Sequence, residues 1–168
     1  MARRDQPEEQ RAETPEATEQ VDAIMVALQA LVGVAAQSVA AVEDRVTLPQ
    51  LRVLVLIASR GTMNLNALAE AMDVHASNAS RSCDRLVAAG LLRRTESPLD
   101  RRNLVLELTD EGQALIEGLV QHRREAITEV LDRVPQSRRR ALVNAMQAFG
   151  KAAGEVPAGN AWKLGWHR

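Results

Sequence analysis

Apolar residues recur along most of this chain at helical spacing, and the breaks between the periodic runs divide it into six helices and one hairpin. The first helix begins near Pro15 and ends at Arg45 to Thr47. Its apolar residues Val21, Ile24, Leu28, Leu31, Ala35 and Val42 are spaced three, four, three, four and seven, a seam at the heptad period that requires a partner helix. Thr47-Leu-Pro-Gln50 then reads as a fresh start, with Thr47 as N-cap and Gln50 reaching back from the third helical position. Leu51, Leu54, Val55 and Ile57 form the buried face of this second helix, and Gly61 stops it. A short helix follows from about Leu65 to Met72, with Leu65, Leu68, Ala69 and Met72 inward and Asp73-Val74 as the turn. In the next, from about Ser77 to Ala89, Ala79, Cys83, Leu86 and Val87 recur at helical spacing, and Gly90 closes the C-terminus. Three short helices joined by tight turns predict a helix-turn-helix unit.

After Gly90 the pattern changes to period two. Leu92 to Thr95 and Asn103 to Leu108 read as the strands of a hairpin around the turn-rich Glu96-Ser97-Pro98-Leu99-Asp100, a wing with a basic tip. Thr109-Asp110-Glu111 opens a helix, the hydroxyl capping free N–H groups and the acids facing the positive end of the dipole. That helix reaches about Val134, carrying Leu115, Leu119, Ile127, Val130 and Leu131, until Pro135 breaks it. Ser137 caps a last helix that buries Leu142, Val143, Met146 and Phe149, and a tail carries Trp162 and Trp166. The expected organisation is a flexible acidic arm over residues 1–15, a dimerisation helix over 16–44, a winged helix-turn-helix over 45–108, C-terminal dimerisation helices over 109–153 and a tail over 154–168. The fold class is mainly α, with a two-stranded β-wing flanked by terminal helices.

Composition narrows the function. At 168 residues and 18.4 kDa the chain suits one hydrophobic core, and its 2% aromatic content removes the stacking platforms of RNA-binding sheets and the walls of cation cages. A single cysteine, Cys83, permits no internal disulfide, and His75, His122 and His167 show no metal-ligand spacing, so no metal and no cofactor is expected. No phosphate-binding Gly loop or nucleophile elbow is present, and no catalytic residue is assigned. The N-terminal residues lack the apolar core of a secretory signal. The most apolar stretch, Val21 to Val42, is interrupted by Asp22, Gln29, Gln37 and Ser38 and falls short of a membrane span. A reducing, cytoplasmic setting follows.

The net charge of −1 conceals segregation. Residues 75–103 hold six arginines against three acids, a local +3, whereas the first twenty residues hold three arginines against six acids. Clustered arginines beside a helix-turn-helix are the electrostatic footprint of phosphate contacts. On the third short helix, the face opposite Ala79, Cys83 and Leu86 presents Ser77, Asn78, Arg81 and Arg85, with Ser80 and the wing residue Arg94 nearby. Hydroxyls and an amide at a helix N-terminus suit phosphates or base edges, and Arg suits guanine. Ser77 reads equally well as the N-cap of its helix, and Asp84 with Arg85 as a structural pair.

These segments resemble the MarR (multiple antibiotic resistance regulator) family of winged helix-turn-helix proteins. The resemblance is carried by Thr47-Leu-Pro-Gln50 before Val53-Leu54, by Leu68-Ala69-Glu70, and by Ser80-Arg81 with Asp84-Arg85-Leu86. It continues in Gly90-Leu91-Leu92 and in Asp100-Arg101-Arg102, followed by Leu108-Thr109 and Gly112. It covers roughly residues 20–152 and departs at Asp73, where the family usually has Gly, and at Leu51, where an aromatic is common. The resemblance implies a homodimeric transcriptional regulator, usually a repressor, on a pseudo-palindromic operator. It also implies a small-molecule effector between the dimerisation and DNA-binding parts. By the same resemblance Arg101 enters the minor groove, while Asp100 orients Arg102 and stiffens the wing. A two-fold dimer would set its recognition helices about 34 Å apart. Two other readings stay open, a winged-helix protein-interaction module and a redox-responsive regulator using Cys83.

Overall fold

The computed structural model describes residues 14–96 and 104–154. Within them the chain runs α1 (Pro15–Ala40), α2 (Leu48–Arg60), α3 (Leu65–Met72), α4 (Ala76–Ala88), β1 (Leu92–Glu96), β2 (Leu104–Leu108), α5 (Asp110–Asp132) and α6 (Gln136–Ala152). This is the mainly helical, winged arrangement that the periodicity predicts. Trp162, Trp166 and the acidic arm up to residue 13 lie outside the described residues.

Local chemistry accounts for most boundaries. Thr14 caps α1, its hydroxyl oxygen accepting the Ala17 N–H at 3.3 Å, with Pro15 at the first helical position. The helix stops at Ala40, earlier than the apolar pattern suggests. The chain then turns so that Val42 and Val46 enter the core, and Glu43 and Asp44 fall where a helix C-terminus would disfavour negative charge. At α2 the Gln50 side chain returns to accept the Thr47 N–H at 2.8 Å, and the Thr47 hydroxyl donates to the same oxygen at 2.9 Å.

One buried face is expected of α2, but Leu51 and the whole run from Val53 to Ile57 are buried. α3, α4, α5 and β2 pack around its middle, so that more than one face is buried there, while Leu48, Pro49 and Arg60 at its ends stay exposed. Around the helix Leu68, Leu86, Leu92 and Leu119 close the core.

Two helix ends share one geometry with different residues. After α4, the Leu91 N–H bonds to the Leu86 carbonyl at 2.9 Å and the Gly90 N–H to the Val87 carbonyl at 3.0 Å, with Gly90 at φ +71°. After α3, Val74 and Asp73 make the same pair of bonds to Ala69 and Glu70, but the left-handed position is held by Asp73 at φ +55°. Asp73→Gly is therefore expected to raise the urea midpoint, by on the order of 0.5–1 kcal/mol in stability, because Gly adopts this conformation without the Cβ penalty. A lowered midpoint would mean that the Asp73 side chain offsets its own strain.

β1 and β2 pair antiparallel, with Leu92 opposite Leu108 and Arg94 opposite Leu106. Met63, in the turn between α2 and α3, adds a bridge to Leu106 through bonds of 3.2 and 2.8 Å, which anchors the hairpin base to the helix-turn-helix.

α1 lies antiparallel to α5. Arg123 donates to the Ser38 hydroxyl at 3.4 Å and, one end over, Arg45 pairs with Glu111 at 2.5 Å. Only Val34 and Ser38 of α1 are buried, while Val21, Ile24, Leu28 and Leu31 of the seam stay exposed. Ile127 and Val130 of α5 are likewise exposed within the single chain, as are Leu142, Val143, Met146 and Phe149 of α6, which the periodicity places inward. The reason is geometric. The buried core takes only Val34 and Ser38 from α1 and no residue from α6, so these segments lie beyond it. Ser137 does not cap α6 either; Pro135 precedes the helix, and its carbonyl accepts the Arg138 N–H at 2.8 Å. By length and composition alone α1 could cross a membrane, so the four polar interruptions exclude less than expected.

Candidate nucleic-acid interface

The site is built on α4 and the strand that follows it. Ala79, Cys83 and Leu86 anchor α4 in the core, which obliges its opposite face to point outward. On that face Ser77, Asn78, Arg81 and Arg85 are exposed and Ser80 is half-buried. The helix starts at Ala76, and its cap is His75 in place of Ser77. The His75 imidazole Nδ1 accepts the Ser77 N–H at 3.3 Å and lies 2.9 Å from the Ser77 hydroxyl. Histidine is not among the usual capping residues, so pattern alone favoured the serine.

The polar side chains of this face hold one another. The Arg81 guanidinium donates to Asn78 Oδ1 at 2.9 Å and to the Ser77 carbonyl at 3.3 Å, which presents arginine and amide as one ordered group. Arg85 makes no side-chain bond to another described residue. Asp84 does not pair with Arg85. Arg94 of β1 donates to it across the junction of helix and strand, and the Ser80 hydroxyl donates to its second oxygen at 3.4 Å. Arg93 on the other side of the strand pairs with Glu107 at 2.6 Å, a cross-strand contact that raises its pKa. Asp84 and His75 are the site members that sequence reading missed. Their partners follow from the fold and from no motif. Asp100, Arg101 and Arg102 lie outside the described residues.

Cys83 touches this site only from below. It is fully buried, and burial pushes its thiol up to about 11, with Arg94 lowering and Asp84 raising it to lesser extents. A thiol so placed holds almost no thiolate at neutral pH, which argues against the redox reading. Among the described residues no group of three or more His, Cys, Asp and Glu side chains is placed to hold a metal ion.

A family model described as the MarR family matches residues 46–104, from just before α2 to the first residue of β2. A solved structure, RV1404 from Mycobacterium tuberculosis, is 37% identical and superposes with a TM-score of 0.70 over 80% of this chain and 92% of that one. The chain belongs to the MarR family. Two curated Bacillus subtilis relatives match over shorter stretches. The HTH-type transcriptional repressor MdtR is 35% identical over 51% of this chain and 56% of its own length. The HTH-type transcriptional regulator YfiV is 27% identical over 63% and 66%. The matches thus span two thirds or less of these curated relatives. In this MarR-family chain the matched segment contains α2, α3, α4 and β1 whole, and leaves out α1, α5 and α6.

Proposed function

We propose that this protein is a sequence-specific DNA-binding transcriptional repressor that acts as a homodimer in the cytoplasm on a pseudo-palindromic operator. The observation that carries the reading is the outer face of α4, where Ser77, Asn78, Arg81 and Arg85 stand together beside an arginine-bearing strand on a MarR-family helix-turn-helix. Arginine can fork onto guanine, hydroxyls and the amide can reach phosphates or base edges, and the wing sequence supplies Arg101 and Arg102 beyond Arg94. Ser80 borders the same face. Asp100 is proposed to stiffen the wing.

Dimerisation is supported by what the single chain leaves uncovered. The first half of α1 and all of α6 bury nothing internally, although both carry apolar stripes. A second copy offers the same faces in return, as a two-fold interface demands. Release by a small-molecule effector belongs to the same reading.

Selection of bound sequences from random duplex DNA, with sedimentation of the protein at micromolar concentration, tests both parts. The expected result is a dimer that enriches two inverted half-sites centred about one helical turn apart, on the order of 34 Å. A monomer would overturn the dimer. Absence of enrichment would overturn sequence-specific binding and favour a winged-helix protein-interaction module.

A further inference from the structure

The outer face of α4 carries one group that a DNA-binding surface should avoid. Asp84 stands one turn beyond Ser80 and two beyond Ser77, its side chain 53% exposed, so a carboxylate lies among the residues proposed to meet the phosphate backbone. It is engaged from two elements, by the Ser80 hydroxyl on its own helix and by the Arg94 guanidinium on β1. Exposed pairs of this kind contribute roughly 0–1 kcal/mol to stability, too little to account for the arrangement by folding alone. Its consequence for binding is larger. While Arg94 is held by Asp84, it is not available to a phosphate, and β1 is tied to the recognition helix.

We propose that Asp84 is a specificity-determining residue that acts by positioning Arg94, withholding that arginine from non-specific phosphate contact and coupling the wing to α4. This rests on the DNA-binding reading above. On a random sequence the protein is held by charge alone, so a withheld arginine and an exposed carboxylate both weaken that mode. On the operator, base contacts by Ser77, Asn78, Arg81 and Arg85 set the register, and the tied wing follows α4 into place without further ordering. The pair thereby widens the gap between specific and non-specific affinity.

The test is a double-mutant cycle with Asp84→Asn and Arg94→Gln, read on the selected operator and on a scrambled duplex over a range of salt. Asp84→Asn is expected to raise affinity for the scrambled duplex roughly threefold to tenfold, and to steepen the salt dependence by about one released counterion per lobe. Operator affinity is expected to change less, so that the specificity ratio falls. In the Arg94→Gln background Asp84→Asn should raise affinity for the scrambled duplex much less, keeping only the gain from the lost carboxylate, and should no longer lower the specificity ratio. Equal gains on both duplexes in both backgrounds would reduce Asp84 to bulk charge and overturn the proposal. Loss of operator binding alone would overturn it too, by making Asp84 a direct base contact. Wild-type protein that binds neither duplex would overturn the DNA-binding reading together with this one.

Discussion

Binding to duplex DNA is expected to weaken by about 10³-fold or more between 50 and 200 mM salt, the loss associated with six to ten neutralised phosphates. The number of contacts follows from which arginines are free to make them. Arg93 is committed to Glu107 and Arg94 to Asp84, whereas Arg81 and Arg85 stand on the exposed face of α4. Arg101 and Arg102 add two more by sequence, so a dimer would present about eight across its two lobes, within that range. The net charge of −1 would not lead to this expectation, because the acidic N-terminal segment offsets the basic one in the sum. Fluorescence anisotropy with labelled operator at four salt concentrations checks it. An affinity that barely changes with salt would remove phosphate contacts from the account and favour a protein partner for α4 and the wing.

The second large effect concerns the joint between α4, the wing and α5. Gly112→Ala is expected to lower stability by about 3 kcal/mol, the upper end of ordinary overpacking. Thr109 organises this joint, its hydroxyl donating to the Gly90 carbonyl at 2.6 Å and accepting the Gly112 N–H at 3.1 Å, while its own N–H bonds to the Leu91 carbonyl at 3.2 Å. The first turn of α5 is thereby drawn against the left-handed turn that ends α4. A Cβ at Gly112 would collide with the Leu91 carbonyl oxygen, a backbone atom that cannot swing aside. Ala elsewhere in a helix stabilises by about 1 kcal/mol relative to Gly, so the sign depends wholly on this contact. Gly118 supplies the control, since it lies on the same helix with open space where a Cβ would stand, and Gly118→Ala is expected to stabilise. Urea midpoints of the two variants should move in opposite directions. A midpoint for Gly112→Ala at or above that of the wild type would show that the joint yields.

How far the sequence reached depends on the range of the interaction concerned. The span of α3 from Leu65 to Met72, the return of Gln50 to Thr47, the cap at Thr109 and the closure at Gly90 rest on backbone groups within a few residues of one another. Residue types and spacing therefore suffice to predict them. The failures lie where two local solutions compete or a partner is distant. Ser77 and His75 could both cap α4, and only the backbone path through the preceding turn decides for the histidine. Asp84 had a neighbour in Arg85 and a partner in Arg94, and the fold of the hairpin brings the second within reach while the helix turns the first away.

The sequence by itself determined which stretches are helix, which are strand, where most of them end, and that positive charge gathers on α4 and the wing. Periodicity also marked the apolar stripes of α1, α5 and α6 correctly as apolar. It could not assign what covers them, because a stripe records only that a face avoids water. Tertiary structure decided that the middle of α2 is buried on more than one face, that Arg94 is bound to Asp84, and that the apolar residues at the far ends of α1 and α5 and along α6 stay exposed within one chain. Each of these depends on contacts between residues remote in sequence, whose distances are set by how the helices cross.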